Sequence, residues 1–364
     1  MKRMDFSRAR TIEFGFLVLM GIFWGCSFDS NFSLKFNDDF LIKYVVGAFL
    51  LLLFCSVTIH PKVVVFGAVV GGVWAGFLAL LQYQEMGRAH GFTNAIRFGN
   101  LALVVFIICG FSVFSDLFGW RWKVFICFGA LLSVVASILS LSRGGWVLFG
   151  VAPFVGLWLV PGGRNKKILI FVCCVLASLL LLQLEPVGRR VHEVQDQVVG
   201  YFKDRHGYVE TSIGARIEMW RTAVLMGAEH PWFGWGDREI AQAREAYVER
   251  SISHPYILNY NHAHSDYLEL WARRGVFGLL GLTLAYVGPI FIFYRRFFSF
   301  AKENFSFRDP VANLVVIGAF SYFAYFLFGL TDTFFNLSIG TNFYIFLYIA
   351  LLGSLSWCAK FYKF

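Results

Sequence analysis

Long apolar blocks constrain this chain more than any other feature. Crossing about 30 Å of hydrocarbon takes about 20 residues of helix, and ten stretches approach that length: residues 14–28, 40–59, 63–82, 98–118, 123–142, 144–160, 168–184, 275–294, 311–330 and 341–358. Inside lipid, only helices and closed barrels satisfy their own backbone groups. No alternation of polar and apolar residues over about ten positions marks a barrel, so the spans read as helices. The composition agrees, with 58% hydrophobic and 15% charged residues against roughly 45–50% and about 25% in a soluble domain. A soluble enzyme with one compact core is excluded. The expected fold is all-α and polytopic, with about ten and up to twelve transmembrane helices. It divides into N-terminal helices (1–184), one large loop (185–274) and C-terminal helices (275–364).

Charge orients such a chain. The loops at 161–167 and 295–310 hold the densest short-loop positive charge, which places them in the cytoplasm. Alternation then puts 16 of the 32 Lys and Arg in cytoplasmic segments and five in short external ones. Much of the +9 charge therefore serves orientation and contact with membrane lipid, and no nucleic-acid partner is expected. Lys2, Arg3, Arg8 and Arg10 precede the first block with no small-residue cleavage site after it, so this block reads as an uncleaved helix. The seven cysteines lie in or beside apolar blocks and form no disulfide or metal pattern.

The external segment 185–274 is unlike the rest. It holds six of the eight histidines and 13 of the 23 acidic residues, so chemistry is expected at the outer membrane–water interface. Thr211-Ser212 can cap a helix to Glu229 with an apolar stripe of Ile217, Trp220, Val224 and Leu225, stopped by Pro231 and Gly234. A second helix is expected from Asn261 through Tyr267, Leu270 and Trp271 into the span after Gly275.

Asn261-His262-Ala263-His264-Ser265-Asp266 is the sharpest local pattern. On a helix, His262 and Asp266 would share a face, where a carboxylate fixes an imidazole's tautomer and raises its basicity. The histidines read as a general base, as the opening of a metal-ligand pattern whose last histidine is replaced by Tyr267, or as polar caps. External arginines, namely Arg88, Arg97, Arg143, Arg216 and Arg221, present planar forks suited to phosphate; each alone also fits a snorkelling or ion-paired surface residue. Pro231-Trp-Phe-Gly-Trp-Gly236 offers tight turns and Trp faces suited to sugars, or simple loop packing. No DxD, GxSxG, Walker A or GxGxxG pattern occurs.

Arg88-Ala-His-Gly-Phe-Thr-Asn94, Phe98-Gly-Asn-Leu-Ala-Leu103, Ser142-Arg-Gly-Gly-Trp146, Arg216 with Trp220, Pro231 to Gly236, and His264 with Leu268-Glu269, Gly275 and Gly278 follow one another in an order that resembles bacterial O-antigen ligases. The likeness covers residues 88 to 290. Where the family often has Asn after the histidine and Pro after Asn94, this chain has Ser265 and Ala95. The resemblance implies an inverting, metal-independent glycosyltransferase of the inner membrane with its site facing the periplasm and no cofactor. Its donor would be an undecaprenyl-diphosphate-linked O-antigen, and its acceptor a sugar hydroxyl of lipid A-core. It further implies His264 as base, with His262 second, and Arg88, Arg143 and Arg216 on the diphosphate, joined here by Arg221. An O-antigen polymerase shares the donor chemistry. A glycolipid flippase or exporter would need a polar path that the spans lack.

Overall fold

The computed structural model describes residues 58–142, 185–300, 306–335 and 338–361, with short pieces elsewhere that include 26–28, 34–36 and 144–146. Six helices among these are long and apolar enough to cross a membrane. They are α1 (Pro61–Met86), α2 (Ala95–Ser112), α3 (Trp120–Leu139), α8 (Asp266–Phe300), α9 (Pro310–Phe328) and α10 (Ser338–Phe361). They match the expected spans at 63–82, 98–118, 123–142, 275–294, 311–330 and 341–358. The expected spans at 40–59, 144–160 and 168–184 lie largely outside the described residues. The end of the first candidate, 14–28, is not helical: Cys26–Phe28 (β1) pairs antiparallel with Leu34–Phe36 (β2). Each triplet sets a polar residue, Ser27 or Lys35, between two apolar ones, an alternation that suits a pleated strand, and apart from this pair the described elements are helical, as expected.

Ends and packing follow from named residues. His60 caps α1 by accepting from Lys62 N, and Gly87 closes it in the left-handed conformation at φ 66°. Gly72 and Gly76 let α1 approach α3 closely, since a Cβ at Gly76 would lie 2.6 Å from Leu132 Cβ, the small-residue contact expected of membrane helices. Helix α9 is buried on nearly all sides. Around it Tyr286, Tyr322, Tyr325, Tyr344 and Tyr348 are fully buried with Phe293, Phe328, Phe334 and Phe335. Three of these hydroxyls donate to carbonyls, Tyr322 to Tyr344, Tyr325 to Gly340 and Tyr344 to Ala285, which removes the cost of an unpaired polar group in an aromatic core.

Between the two groups of spans lie α4 (Glu185–Lys203), α5 (Arg205–Tyr208), α6 (Ser212–Glu229), α7 (Gly236–Glu249) and a 3-10 turn at Pro255–Asn259. They enclose their own apolar cluster, including Ala215, Met219, Met226, Ile240, Tyr247 and Ile257. Helix α6 begins and ends as expected, with Thr211 Oγ1 accepting from Gly214 N. Its buried face is different: Ala215, Glu218, Met219, Thr222, Ala223 and Met226 turn inward, while Val224 and Leu225 are exposed. A carboxylate can occupy this core because Arg205, Tyr201 and the backbone of His254 all donate to Glu218. Burial pushes the Glu218 carboxyl up, but those donors win and hold it below the ordinary range.

The second expected helix is corrected in two respects. It starts at Asp266 rather than Asn261, and it breaks at Gly275, where φ is 57° and ψ −147°. The Pro231–Gly236 turn fills the break: Val276 N donates to Pro231 O at 2.7 Å and Trp235 N to Ala272 O at 3.0 Å. A side chain at Gly275 would strike the backbone of Pro231 and Trp232, so the glycines here serve close backbone packing.

Candidate functional site

Antiparallel alternation of the spans gathers one set of ends. The connection from α1 to α2, the end of α3, the start of α8 and the connection from α9 to α10 all fall at the same end of the bundle, and α6 packs against α8 there. The candidate residues come from these five places.

The histidine segment is held as an extended loop, not a helix. Ala263 N donates to Glu269 Oε2 at 2.6 Å, and Ala263 O accepts from Trp220 Nε1 at 2.9 Å. Glu269 is fully buried and also receives Arg244 and Arg273. With its middle residue clamped from both sides, the loop turns through a left-handed His264 at φ 49°, a conformation that costs a non-glycine residue about 1–3 kcal/mol and persists only when surroundings enforce it. His264 N donates to His262 Nδ1 at 3.3 Å, and the two rings stand 4.3 Å apart, edge to face.

The carboxylate expected beside these rings is not the one found there. Asp266 does not pair with His262, because the loop lacks the helical spacing that would align them. It is buried and accepts from Tyr286 OH at 2.8 Å, Phe334 N at 3.1 Å and Phe335 N at 3.3 Å, while its own N–H donates to Gly329 O at 2.8 Å. These bonds fasten the turn between α9 and α10. That turn presents Asp332, whose Oδ1 lies 3.2 Å from His264 Nδ1. The other oxygen, Oδ2, lies 3.5 Å from Arg97 Nε, and neither of those two atoms makes a hydrogen bond. Asp332 carried no role in the sequence reading, and Arg97 was read there only as one of the arginines suited to phosphate. The signal present for Asp332 was a lone acid in the connection between the last two spans.

Burial pulls the His262 imidazole down to about 4, helped by the neighbouring His264 and opposed by Asp332 and Glu269. It is therefore neutral near pH 7. His264 Nδ1 faces a carboxylate, an arrangement that directs Nδ1–H toward Asp332 and leaves Nε2 with its lone pair outward. His262, His264 and Asp332 also place one ligand atom each within 4.8 Å of one another, as a metal site would. Two cations oppose a divalent ion there: Arg97 against the same carboxylate, and Arg216 close enough to feel its charge.

Two of the expected arginines meet. A cavity of about 120 Å³ is lined by Arg88 and Arg216 together with Ser142, Gly144, Ser212 and Thr331. Arg88 is set by the turn after α1: its Nε donates to Ser140 O at 2.9 Å, Ala89 N donates to Leu139 O, and Gln82 Oε1 accepts from His90 N and Gly91 N. Arg216 stands one turn after the Thr211 cap. Burial lowers its pKa, against Asp332 and Tyr260, which makes it a cation short of solvent and suited to an anionic ligand. Thr331 on the cavity wall is the neighbour of Asp332, so the cavity adjoins the His264–Asp332 pair. Arg143 lies outside the described residues, between Ser142 and Gly144 of the wall. Arg221 is not brought to this cavity. Five positions beyond Arg216, it is turned about 140° around the helix, and it donates to Ile252 O at 2.7 Å beside Glu218.

Similarity to known proteins fits this geometry. Residues 128–283 match the family model described as O-antigen ligase. The matched stretch is less than half of the chain. It includes Arg216, His262 and His264, whereas Arg88, Arg97 and Asp332 fall on either side of it. An uncharacterized protein of Haemophilus influenzae is 29% identical over 258 residues, covering 68% of this chain and 63% of that relative. The chain thus aligns with less than two thirds of the relative's length.

Proposed function

We propose that the protein is an O-antigen ligase of the inner membrane, with the His264 end of its helix bundle facing the periplasm. The observation that carries this reading is the juxtaposition of a carboxylate-backed histidine with a cavity bearing two arginines. The donor is O-polysaccharide on undecaprenyl diphosphate, and the acceptor is a sugar hydroxyl of lipid A-core. His264 Nε2 takes the proton of the acceptor hydroxyl as its oxygen bonds to the anomeric carbon from the face opposite the diphosphate. The bond from that carbon to the diphosphate oxygen breaks, and its electron pair leaves with the diphosphate. Asp332 balances the imidazolium that forms, while Arg88 and Arg216 offset charge on the leaving group. Opposite-face attack inverts the anomeric centre. His262 holds the His264 backbone through its Nδ1 and has no carboxylate of its own, so it ranks second as base. Arg143, which stands between Ser142 and Gly144 in the sequence, is a further candidate for the diphosphate.

Purified protein in detergent, given lipid-linked O-polysaccharide and lipid A-core, tests the reading. A joined glycolipid should form with EDTA present, and loss of activity on chelation would overturn the metal-free mechanism. His264→Ala should abolish transfer and keep donor binding; full activity in that variant would move the base elsewhere. Chain growth from donor without lipid A-core would identify a polymerase instead.

A further inference from the structure

In the wall of the arginine cavity and in the layer packed behind it lie polar atoms that no described residue satisfies. Ser142 lines the cavity, is 2% exposed, and its hydroxyl makes no hydrogen bond. Asn100, in the second turn of α2, is wholly buried, and neither its Nδ2 nor its Oδ1 has a partner. Trp146 Nε1, on the same turn as Gly144, is likewise buried and unpartnered. These residues are contiguous: a side chain at Gly145 would strike Asn100 Oδ1, one at Gly144 would strike Thr331 Oγ1, and one at Gly99 would come within 3.3 Å of Ser142 Cβ. Thr331 and Gly144 themselves line the cavity. A buried orphan donor costs more than an average hydrogen bond contributes, so native structures rarely keep one without a ligand or an ordered water.

The chemistry of the orphans selects the ligand. Asn100 Nδ2, Ser142 Oγ and Trp146 Nε1 all donate, and Ser142 shares the cavity lining with two cations. A diphosphate needs its charge offset, which Arg88 and Arg216 can do from the cavity lining. Deeper in, neutral donors can bind its remaining oxygens without the desolvation penalty of another buried cation. We propose that Asn100 and Ser142 form a neutral inner subsite of this cavity that binds phosphate oxygens of a polyprenyl diphosphate. The assignment rests on the reading of Arg88 and Arg216 as diphosphate ligands, and the rival occupant of the orphans is water.

Calorimetric binding of farnesyl diphosphate and of inorganic pyrophosphate to the full chain in detergent separates these cases. Asn100→Ala and Ser142→Ala should each weaken both probes roughly tenfold, the loss expected for a hydrogen bond to a charged acceptor. Asn100→Leu should lose at least as much while raising the Tm of the ligand-free protein, because it removes an unsatisfied buried amide. Arg88→Ala and Arg216→Ala serve as references. If they weaken binding while the Asn100 and Ser142 variants stay within twofold of wild type, water fills the subsite and the inference falls. If the arginine variants also bind as wild type, the diphosphate reading itself is wrong. Loss for farnesyl diphosphate alone would put the contact on the lipid and overturn the phosphate assignment. Should Asn100→Ala fail to fold, Ser142→Ala, which removes one oxygen, carries the test.

Discussion

Asp332→Asn tests the reasoning most directly because it keeps the shape of the site and removes one charge. Asp332 Oδ1 lies 3.2 Å from His264 Nδ1, and at an effective dielectric near 20 a full charge pair at that distance is worth about 5 kcal/mol. The asparagine oxygen still accepts from Nδ1–H and recovers part of this, leaving about 3–4 kcal/mol. That corresponds to a fall in kcat of roughly 10²- to 10³-fold, since the charge matters once the imidazolium develops and little in the ground state. KM for the lipid-linked donor should change less than threefold. The substitution also leaves Arg97 without its carboxylate, so Tm should fall; the double variant Asp332→Asn with Arg97→Gln should regain Tm but not activity. Transfer is followed as glycolipid formed on gels, with Tm from intrinsic fluorescence. A single variant that keeps activity within threefold of wild type would refute the role of Asp332. A double variant that restores turnover would show that charge imbalance, not loss of support for His264, caused the defect.

Other outcomes follow from the same contacts. Glu269→Gln leaves Arg244 without its carboxylate and Arg273 with Asp237 as its remaining one, and should destabilise the protein by about 3–5 kcal/mol, seen as a lower Tm; an unchanged Tm would mean those arginines have other support. Arg221→Ala should retain transfer within a few-fold while Arg216→Ala loses it, and equal losses would return Arg221 to the anion site. The native His262 imidazole titrates near 4 against about 6.5 unfolded, so the unfolded chain binds more protons between those values and stability falls as pH drops through that window, by up to about 3 kcal/mol. His262→Gln should flatten that slope in denaturant unfolding between pH 4.5 and 7; an unaltered slope would assign it to other groups.

Much of the bundle was legible because lipid asks little of a span beyond length and apolarity, and α1, α2, α3, α9 and α10 meet that demand on their face. The break in α8 was not: Gly275 reads as one more glycine near a membrane boundary until the Pro231–Gly236 turn is seen docked into it. Helical arithmetic placed Asp266 beside His262, since a four-residue interval is the only proximity a linear reading can measure. The actual partner of His264 comes from 68 residues away, brought by packing of α9 and α10 against α8. The arginines divide on similar grounds. Arg88 and Arg216 converge through tertiary contact, whereas Arg221, grouped with Arg216 by proximity in the chain, points elsewhere by simple helical rotation. Asn100 lay inside the Phe98–Leu103 stretch that carried the resemblance, but nothing singled it out there, because a single amide within an apolar run resembles any polar residue buried between helices.

Asp266 has a consequence for how such a site can be altered. It performs none of the proposed proton transfer, yet it sets the register between the α8 start and the turn that bears Asp332. The proposed base therefore belongs to the segment before α8, while its supporting carboxylate and the fastening that aligns them belong to the bundle. A chimera that replaces residues 192–265 with the counterpart from another glycan transferase would exchange His262, His264 and Arg216, and retain Asp332, Asp266 and Arg88 unchanged. Acceptor preference is the property such a graft should carry with it, provided the new loop offers an imidazole within reach of the fixed aspartate.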